Sequence, residues 1–181
     1  MANYYKNWDQ FECTADDPVL YGIQYRTISD LVSEPVSLDF FKDAARIDFD
    51  TDDTLCEIYI QAARIELEQW SQLSFGVKTI GLTALYLPKN WRLVHGPVDE
   101  VTTTGFTNVG DILKEGGKDI DIEFTTLNTY FNNNMVKVAI ARYAAGLYVS
   151  RENVVDTQFA SQVRQDEAKL MLDPIRIKTW F

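Results

Sequence analysis

The sequence predicts an α+β protein, mainly α: a small helical bundle of about four helices, an inserted small antiparallel β element and extended terminal arms. Three observations predict it. Apolar residues recur at helical spacing over 37–46, 54–73, 134–150 and 158–172. Residues 78–126 change to runs of β-branched and aromatic residues broken by Gly and Pro. The length, 181 residues, and the composition, 46% hydrophobic and 24% charged, are those of one globular domain and exclude a disordered, collagen-like or low-complexity chain. The expected organisation is an N-terminal arm over 1–36, a single domain over 37–174 with its β insertion at about 78–126, and a C-terminal tail over 175–181.

The arm holds Tyr4, Tyr5, Trp8, Phe11, Tyr21 and Tyr25 with no helical or strand period, so it either folds back on its own domain or anchors its aromatics on a partner. Ser37 is an N-cap candidate for a helix running to about Arg46, with Leu38, Phe41 and Ala45 on one face. An acidic loop, Asp48 to Asp53, leads into the second helix, which Asp52 or Asp53 can cap. In that helix Glu57, Gln61, Arg64, Glu68 and Ser71 form a narrow polar stripe, with Arg64 and Glu68 four apart and able to pair in water. Leu55, Cys56, Ile58, Tyr59, Ile60, Ala62, Ala63, Ile65, Leu67 and Trp70 make an apolar arc wider than a monomer's surface helix needs. Such a helix sits deep in a core, or packs on its own domain with one side and on a neighbouring subunit with the other.

Strand candidates follow at Lys78–Leu87, Trp91–His95, Val98–Phe106 and Ile120–Phe124, with turn signals at Gly96-Pro97 and Gly116-Gly117. The third helix spans about Asn134–Ser150 with Val136, Ala139, Ile140, Tyr143, Ala144 and Leu147 on its apolar face. The fourth spans about Gln158–Leu172 with Phe159, Val163 and Leu170 inward, and Asp173-Pro174 ends it. The last seven residues begin with period-2 alternation, as a strand or an extended arm free to pair with a neighbour.

The formal charge is −10, which argues against tight non-specific duplex binding. Charge is uneven: 10 basic and 22 acidic residues over 1–129, against 7 and 5 over 130–181. The basic residues of the last third, among them Arg142, Arg164, Lys169 and Arg176, share no obvious face and lack aromatic interleaving, so a nucleic-acid-binding module there is the weaker reading. Cys13 and Cys56 read as free thiols, Cys56 in a core. No signal peptide and no membrane span is expected, so the chain is placed in a reducing cytoplasm or in a particle assembled there. His95 is the one imidazole, it lies at a strand-to-turn junction, and no nucleophile elbow, phosphate loop or dinucleotide fingerprint accompanies it. Asp48, Asp50 and Asp52 have the opening spacing of a calcium loop, but Asp53 and Tyr59 stand where that loop needs Gly and Glu. No catalytic residue, metal ligand or cofactor is therefore assigned. A metal-binding or small catalytic module built on the 48–53 loop with His95 is the alternative.

The order of phrases resembles a known family. Ser37 to Asp48, then Asp52-Asp53-Thr54-Leu55, then Ile60-Gln61-Ala62-Ala63-Arg64 and Leu73-Ser74-Phe75 are followed by Gly96-Pro97-Val98, Leu147-Tyr148-Val149-Ser150-Arg151-Glu152 and Leu172-Asp173-Pro174 with Arg176 and Trp180. This series resembles the head–tail connector (adaptor, head-completion) proteins of tailed double-stranded DNA phages. The chain departs from them at Ala45, where Leu is usual, and loosely at 72–75. The resemblance covers about 37–181 and implies a non-catalytic structural protein of the virion, assembled in the host cytoplasm. It implies a ring, usually of twelve subunits, beneath the portal, which extends the DNA channel without sequence-specific binding and offers a docking face to the next neck or tail protein. Another neck or tail-completion ring protein is the neighbouring reading. Under these readings Tyr59, Ile60, Leu67, Trp70, Tyr143, Leu147, Ile175, Ile177, Trp180 and Phe181 are the expected subunit or portal interface.

Overall fold

A computed structural model describes residues 22–150 and 155–177, with side chains from 161 in the second stretch. The elements run β1 (Gln24–Ser29), α1 (Leu38–Ala45), α2 (Asp53–Ser71), β2 (Thr79–Leu87), β3 (Trp91–Arg92), β4 (Val98–Val101), β5 (Asn108–Val109), β6 (Ile112–Leu113), β7 (Gly117–Thr126), α3 (Asn134–Ser150) and α4 (Val155–Leu172). This is the expected α+β architecture, four helices with small antiparallel sheets.

Two apolar clusters hold it. In the helical cluster Phe41 of α1, Cys56, Ile60, Ala63 and Leu67 of α2, Val136, Ala139, Ile140 and Ala144 of α3, and Ala168 and Leu172 of α4 are buried together. Small residues let α3 and α4 approach closely: a Cβ on Gly146 would come within 3.1 Å of the Ser161 carbonyl oxygen. The second cluster lies between the sheets. The main sheet has the order β1-β2-β7-β4 and the smaller one β3-β6-β5. Cross-strand pairs Ile80↔Phe124, Leu82↔Ile122 and Ala84↔Ile120 face inward on β2 and β7, where Leu93, Val98 and Leu113 cover them. The outward positions of β7 are Asp119, Asp121 and Glu123, the alternation of a sheet with one wet face.

Ser37 caps α1 as predicted, its Oγ accepting the Phe40 amide at 3.2 Å, and Arg46 closes the helix in the left-handed region. Asp52 stands at the N-cap of α2, but its carboxylate makes no cap hydrogen bond and accepts from the Tyr148 hydroxyl at 2.7 Å instead. Asp50 and Asp53 both turn to Lys42 Nζ, at 2.5 and 2.8 Å. The acidic loop thus ties α1, α2 and α3 together. The carboxylate of Asp50 is held below its ordinary range by the Lys42 ammonium.

Four expectations need correction. Residues 24–29 are not part of an aperiodic arm: they form the edge strand of the main sheet, because Tyr25 packs edge-on against Phe124 and His95. The strand expected over Trp91–His95 stops at Arg92, since Leu93 gives its amide to the Asp111 carbonyl and His95 turns at positive φ to give its own to Gln72. Val98–Phe106 contracts to Val98–Val101, and the residues beyond it lead to the β5–β6 hairpin, which turns at Gly110 (φ +56). In α4 the inward residues are Ser161, Ala168 and Leu172, while Val163 and Leu170 face out, because the close crossing at Gly146 takes the small residues inward. Tyr4, Tyr5, Trp8, Phe11, Tyr21, Cys13 and the side chain of Phe159 lie outside the described residues.

Candidate functional site

The second helix buries Cys56, Ile60, Ala63 and Leu67 of its apolar arc and exposes Glu57 and Gln61 of its polar stripe, as its pattern predicts, but the rest of both departs from it. Two residues of the polar stripe, Arg64 and Glu68, lie 1% and 4% exposed, and Ser71 is buried beside them. On the other side Ile58 is 54% exposed, and Ala62, Ile65 and Gln69 are exposed below it. The C-terminal part of the polar stripe, Arg64, Glu68 and Ser71, thus faces the interior, and part of the apolar arc faces water.

Arg64 and Glu68 face inward because their charges find partners. Arg64 Nε donates to Glu34 at 2.7 Å, Nη1 to Glu68 at 2.8 Å and Nη2 to Asp30 at 2.9 Å. Lys78 Nζ bridges Glu68 at 2.5 Å and Asp30 at 2.9 Å. The second oxygen of Glu68 accepts the Phe75 amide at 2.8 Å. One guanidinium and one ammonium therefore hold three carboxylates contributed by α2 and by the segment between β1 and α1. Burial would raise the Asp30 carboxyl, but hydrogen bonds from Arg64 and Lys78 outweigh it and hold it at about 2. Burial would likewise lower Arg64, and the carboxylates around it hold it charged. The network joins the two apolar clusters, together with the Ser74 amide donating to Gly96 and Thr126 Oγ1 donating to the Gly76 carbonyl.

Beside the network lies a cleft of about 360 Å³ between α2, β1 and the start of β2. Tyr25 and Thr27 form one wall, Ile65, Glu68 and Gln69 another, and Leu73, Ile80 and Lys78 line its interior. His95 is at its edge, kept below its ordinary pKa by burial and then by the Lys78 charge, so it is neutral at pH 7. Every charged group around the cleft is already paired inside the network, apart from Arg26, which reaches Asp121 at 3.1 Å. Such an arrangement fixes the geometry of the cleft walls. Among the described residues no three His, Cys, Asp or Glu side chains converge to hold a metal ion, and Asp50 and Asp52 of the acidic loop are spent on Lys42 and Tyr148. Among the same residues no helix is long and apolar enough to cross a membrane.

The expected interface residues divide into three groups. Ile60, Leu67, Tyr143 and Ile177 are buried in the subunit's own core, a correction that follows from the inward turn of that side of α2 and from the tail folding home. The Ile177 amide donates to the Ser71 carbonyl at 3.1 Å, so the first part of the tail is not a free strand. Tyr59, Trp70, Leu147 and Ile175 are partly buried against the same core, and the Arg176 guanidinium lies 4.4 Å above the Trp70 ring. Trp180 and Phe181 lie outside the described residues. Sequence reasoning missed Asp30, Glu34 and Lys78 as partners of Arg64, and the outward Ile58 and Ile65. The available signal was that a helix with an arc this wide has two apolar sides, of which a buried ion pair can displace one.

No protein-family model and no curated protein sequence matches the chain. Solved structures do. A chain in the virion of a native gene transfer agent particle matches with a TM-score of 0.56 at 17% identity, over 81% of this chain and 95% of that one. A chain from the neck of an empty gene transfer agent particle, computed with C6 symmetry, matches with a TM-score of 0.57 at 15% identity, over the same shares. The chain has the fold of these virion and neck chains.

Proposed function

We propose that this protein is a non-enzymatic structural component of the neck of a phage-like particle, a head–tail connector that forms a homo-oligomeric ring beneath the portal. It extends the channel through which DNA passes and joins the portal to the tail or the next neck protein. The observation that carries this reading is the match of nearly the whole of a neck chain, 95% of its length, to this fold. The order of connector-like phrases over 37–181 supports it as well. A ring of twelve copies is compatible with the six-fold averaging of that neck, since twelve-fold symmetry contains six-fold. The acidic chain suits a conduit, because a negative wall repels passing phosphates. Tyr59, Trp70, Leu147 and Ile175, half-buried at home, together with Trp180 and Phe181, are retained as contacts to the portal or a neighbour.

The test is reconstitution. The full chain is mixed with the portal protein of the same genome and imaged by negative stain. A ring seated under the portal is the expected result. A chain that stays monomeric with portal present, or binds a tail component and never the portal, overturns the reading. No retardation of duplex DNA by the free chain at low salt is expected.

A further inference from the structure

We propose that in the unassembled protein the cleft between α2, β1 and the start of β2 holds the side chain of Trp180 from the same chain. Under the role proposed above, that residue passes to the portal or a neighbour in the particle. The inference concerns the free chain and does not rest on the ring.

Reach is the first requirement. Two consecutive carbonyls at the foot of α2 are taken by distant amides: that of Ser71 by Ile177 at 3.1 Å, and that of Gln72 by His95 at 2.7 Å. The point where the tail is pinned therefore adjoins His95 at the edge of the cleft. Trp180 stands three residues beyond Ile177, so its Cα can lie up to about 11 Å from that anchor. Glu68, Gln69 and Leu73, which line the cleft, are all within three residues of Ser71. The path leads the same way. Arg176 lies over the Trp70 ring, and one residue later Ile177 is bonded to Ser71, so the chain passes under the foot of the helix, away from the flank of Trp70. Ile65 and Gln69 stand about 100–140° round the helix from Trp70, on the cleft side. A tether this short gives the tail an effective concentration on the order of millimolar at its own cleft, which favours it over a second copy in dilute solution.

The chemistry of the cleft fits an indole. Tyr25, Ile65, Leu73 and Ile80 give it apolar walls, and about 360 Å³ is at the small end for a ligand pocket. The side chains of Thr27, Gln69 and His95, also at the cleft, have no hydrogen-bond partner among the described residues. An indole has an apolar body and one N–H to give, which the Gln69 amide oxygen or the bare nitrogen of a neutral His95 can accept; a phenyl ring would leave both unmet. Charge separates the tail from the other long segment outside the described residues. The network beside the cleft sets three carboxylates, Asp30, Glu34 and Glu68, against two cations, Arg64 and Lys78. Arg26 at the rim is matched by Asp121. One negative charge is left over, and the Asp30 side chain, 37% exposed, is open to a further cation. Residues 178–181 bring Lys178 and no acid. Residues 1–21 bring Lys6 against Asp9, Glu12, Asp16 and Asp17, and would add repulsion.

The experiment uses the full chain without portal. A photo-reactive benzoylphenylalanine replaces Trp180. Equal amounts of heavy-isotope-labelled and unlabelled chain are mixed in dilute solution and irradiated, and the products are mapped by mass spectrometry. An adduct within one chain to Tyr25, Thr27, Ile65, Gln69 or Leu73 is expected. Adducts elsewhere in the chain, adducts between two chains, or no adduct at all overturn the assignment. In parallel, Gln69→Arg, at an exposed position, sets a cation and extra bulk in the path of Lys178. It is expected to keep the wild-type circular dichroism and to lower the intrachain yield by about fivefold or more. Thr27→Arg, on the opposite wall and also exposed, makes the same test if Gln69→Arg disturbs the fold. A yield that stays level in a folded variant overturns the assignment. The ring reading is judged separately, by reconstitution with the portal, and stands or falls without this result.

Discussion

Arg64 is the residue on which the two halves of the molecule depend. It reaches Asp30, Glu34 and Glu68 at once, with 1% of its side chain exposed. Removing one partner of a buried ion pair is far more costly than replacing the whole network with apolar groups. Arg64→Met is therefore expected to destabilise the fold by about 3–5 kcal/mol, read as a lowered midpoint in urea. Arg64→Lys should also be harmful, because an ammonium cannot make three divergent hydrogen bonds in one plane. Asp30 makes the same network pH-sensitive. Its carboxyl sits at about 2 in the fold against an ordinary 3.8, so its contribution is complete above 3.8 and is lost as pH falls through 2. Stability of the wild type and of Asp30→Asn, measured from neutral pH downwards, should converge across that window. Parallel curves at all pH values would show that the carboxylate has no such role.

The helices could be read from sequence because their signals are local. Ser37 caps α1, Asp173-Pro174 follows α4, and the apolar face of α3 from Val136 to Leu147 is the face that packs. Orientation was harder to read. In α2 the polar stripe was visible, but that Arg64 and Glu68 turn inward while Glu57 and Gln61 stay exposed depended on Asp30, Glu34 and Lys78, outside the helix. In α4 the visible hydrophobes Val163 and Leu170 were outcompeted for the interior by Ser161 and Ala168, which fit a helix crossing at Gly146. The strand β1 was missed because an edge strand needs only Ile23 and Tyr25 to pack, too few positions to establish a period. The short β5–β6 hairpin, two residues a side, was below the reach of any pattern. At this scale Gly146→Val should push α3 from α4 and cost about 1–3 kcal/mol, seen as a lower thermal midpoint with helical content unchanged before the transition. Trp70→Ala should cost about 2 kcal/mol, less than a fully enclosed Trp, because Trp70 is only partly buried and the Arg176 guanidinium stacks on its ring.

As a whole, the molecule is two apolar clusters joined by an ionic hinge-pin, in a chain whose formal charge of −10 opposes self-association. The proposed ring should therefore strengthen as salt rises from about 50 mM to about 500 mM, where like-charge repulsion between copies is screened. Mass photometry across that range is the measurement; rings that dissolve with salt would indicate contacts made by opposite charges instead. Deleting residues 175–181 should weaken the fold itself as well as any docking, because Ile177 is 6% exposed and its amide is bonded to Ser71. The loss is about 2 kcal/mol from the Ile side chain, measurable in urea on the free chain. That same bond sets a tether. The chain is pinned at Ile177 to the far end of α2, and a fully stretched residue advances no more than about 3.6 Å. The Cα of Phe181, four residues on, can be no more than about 14 Å from that anchor. Under the proposed role for Phe181, the component it docks on sits close to the foot of α2, at the end of this short leash.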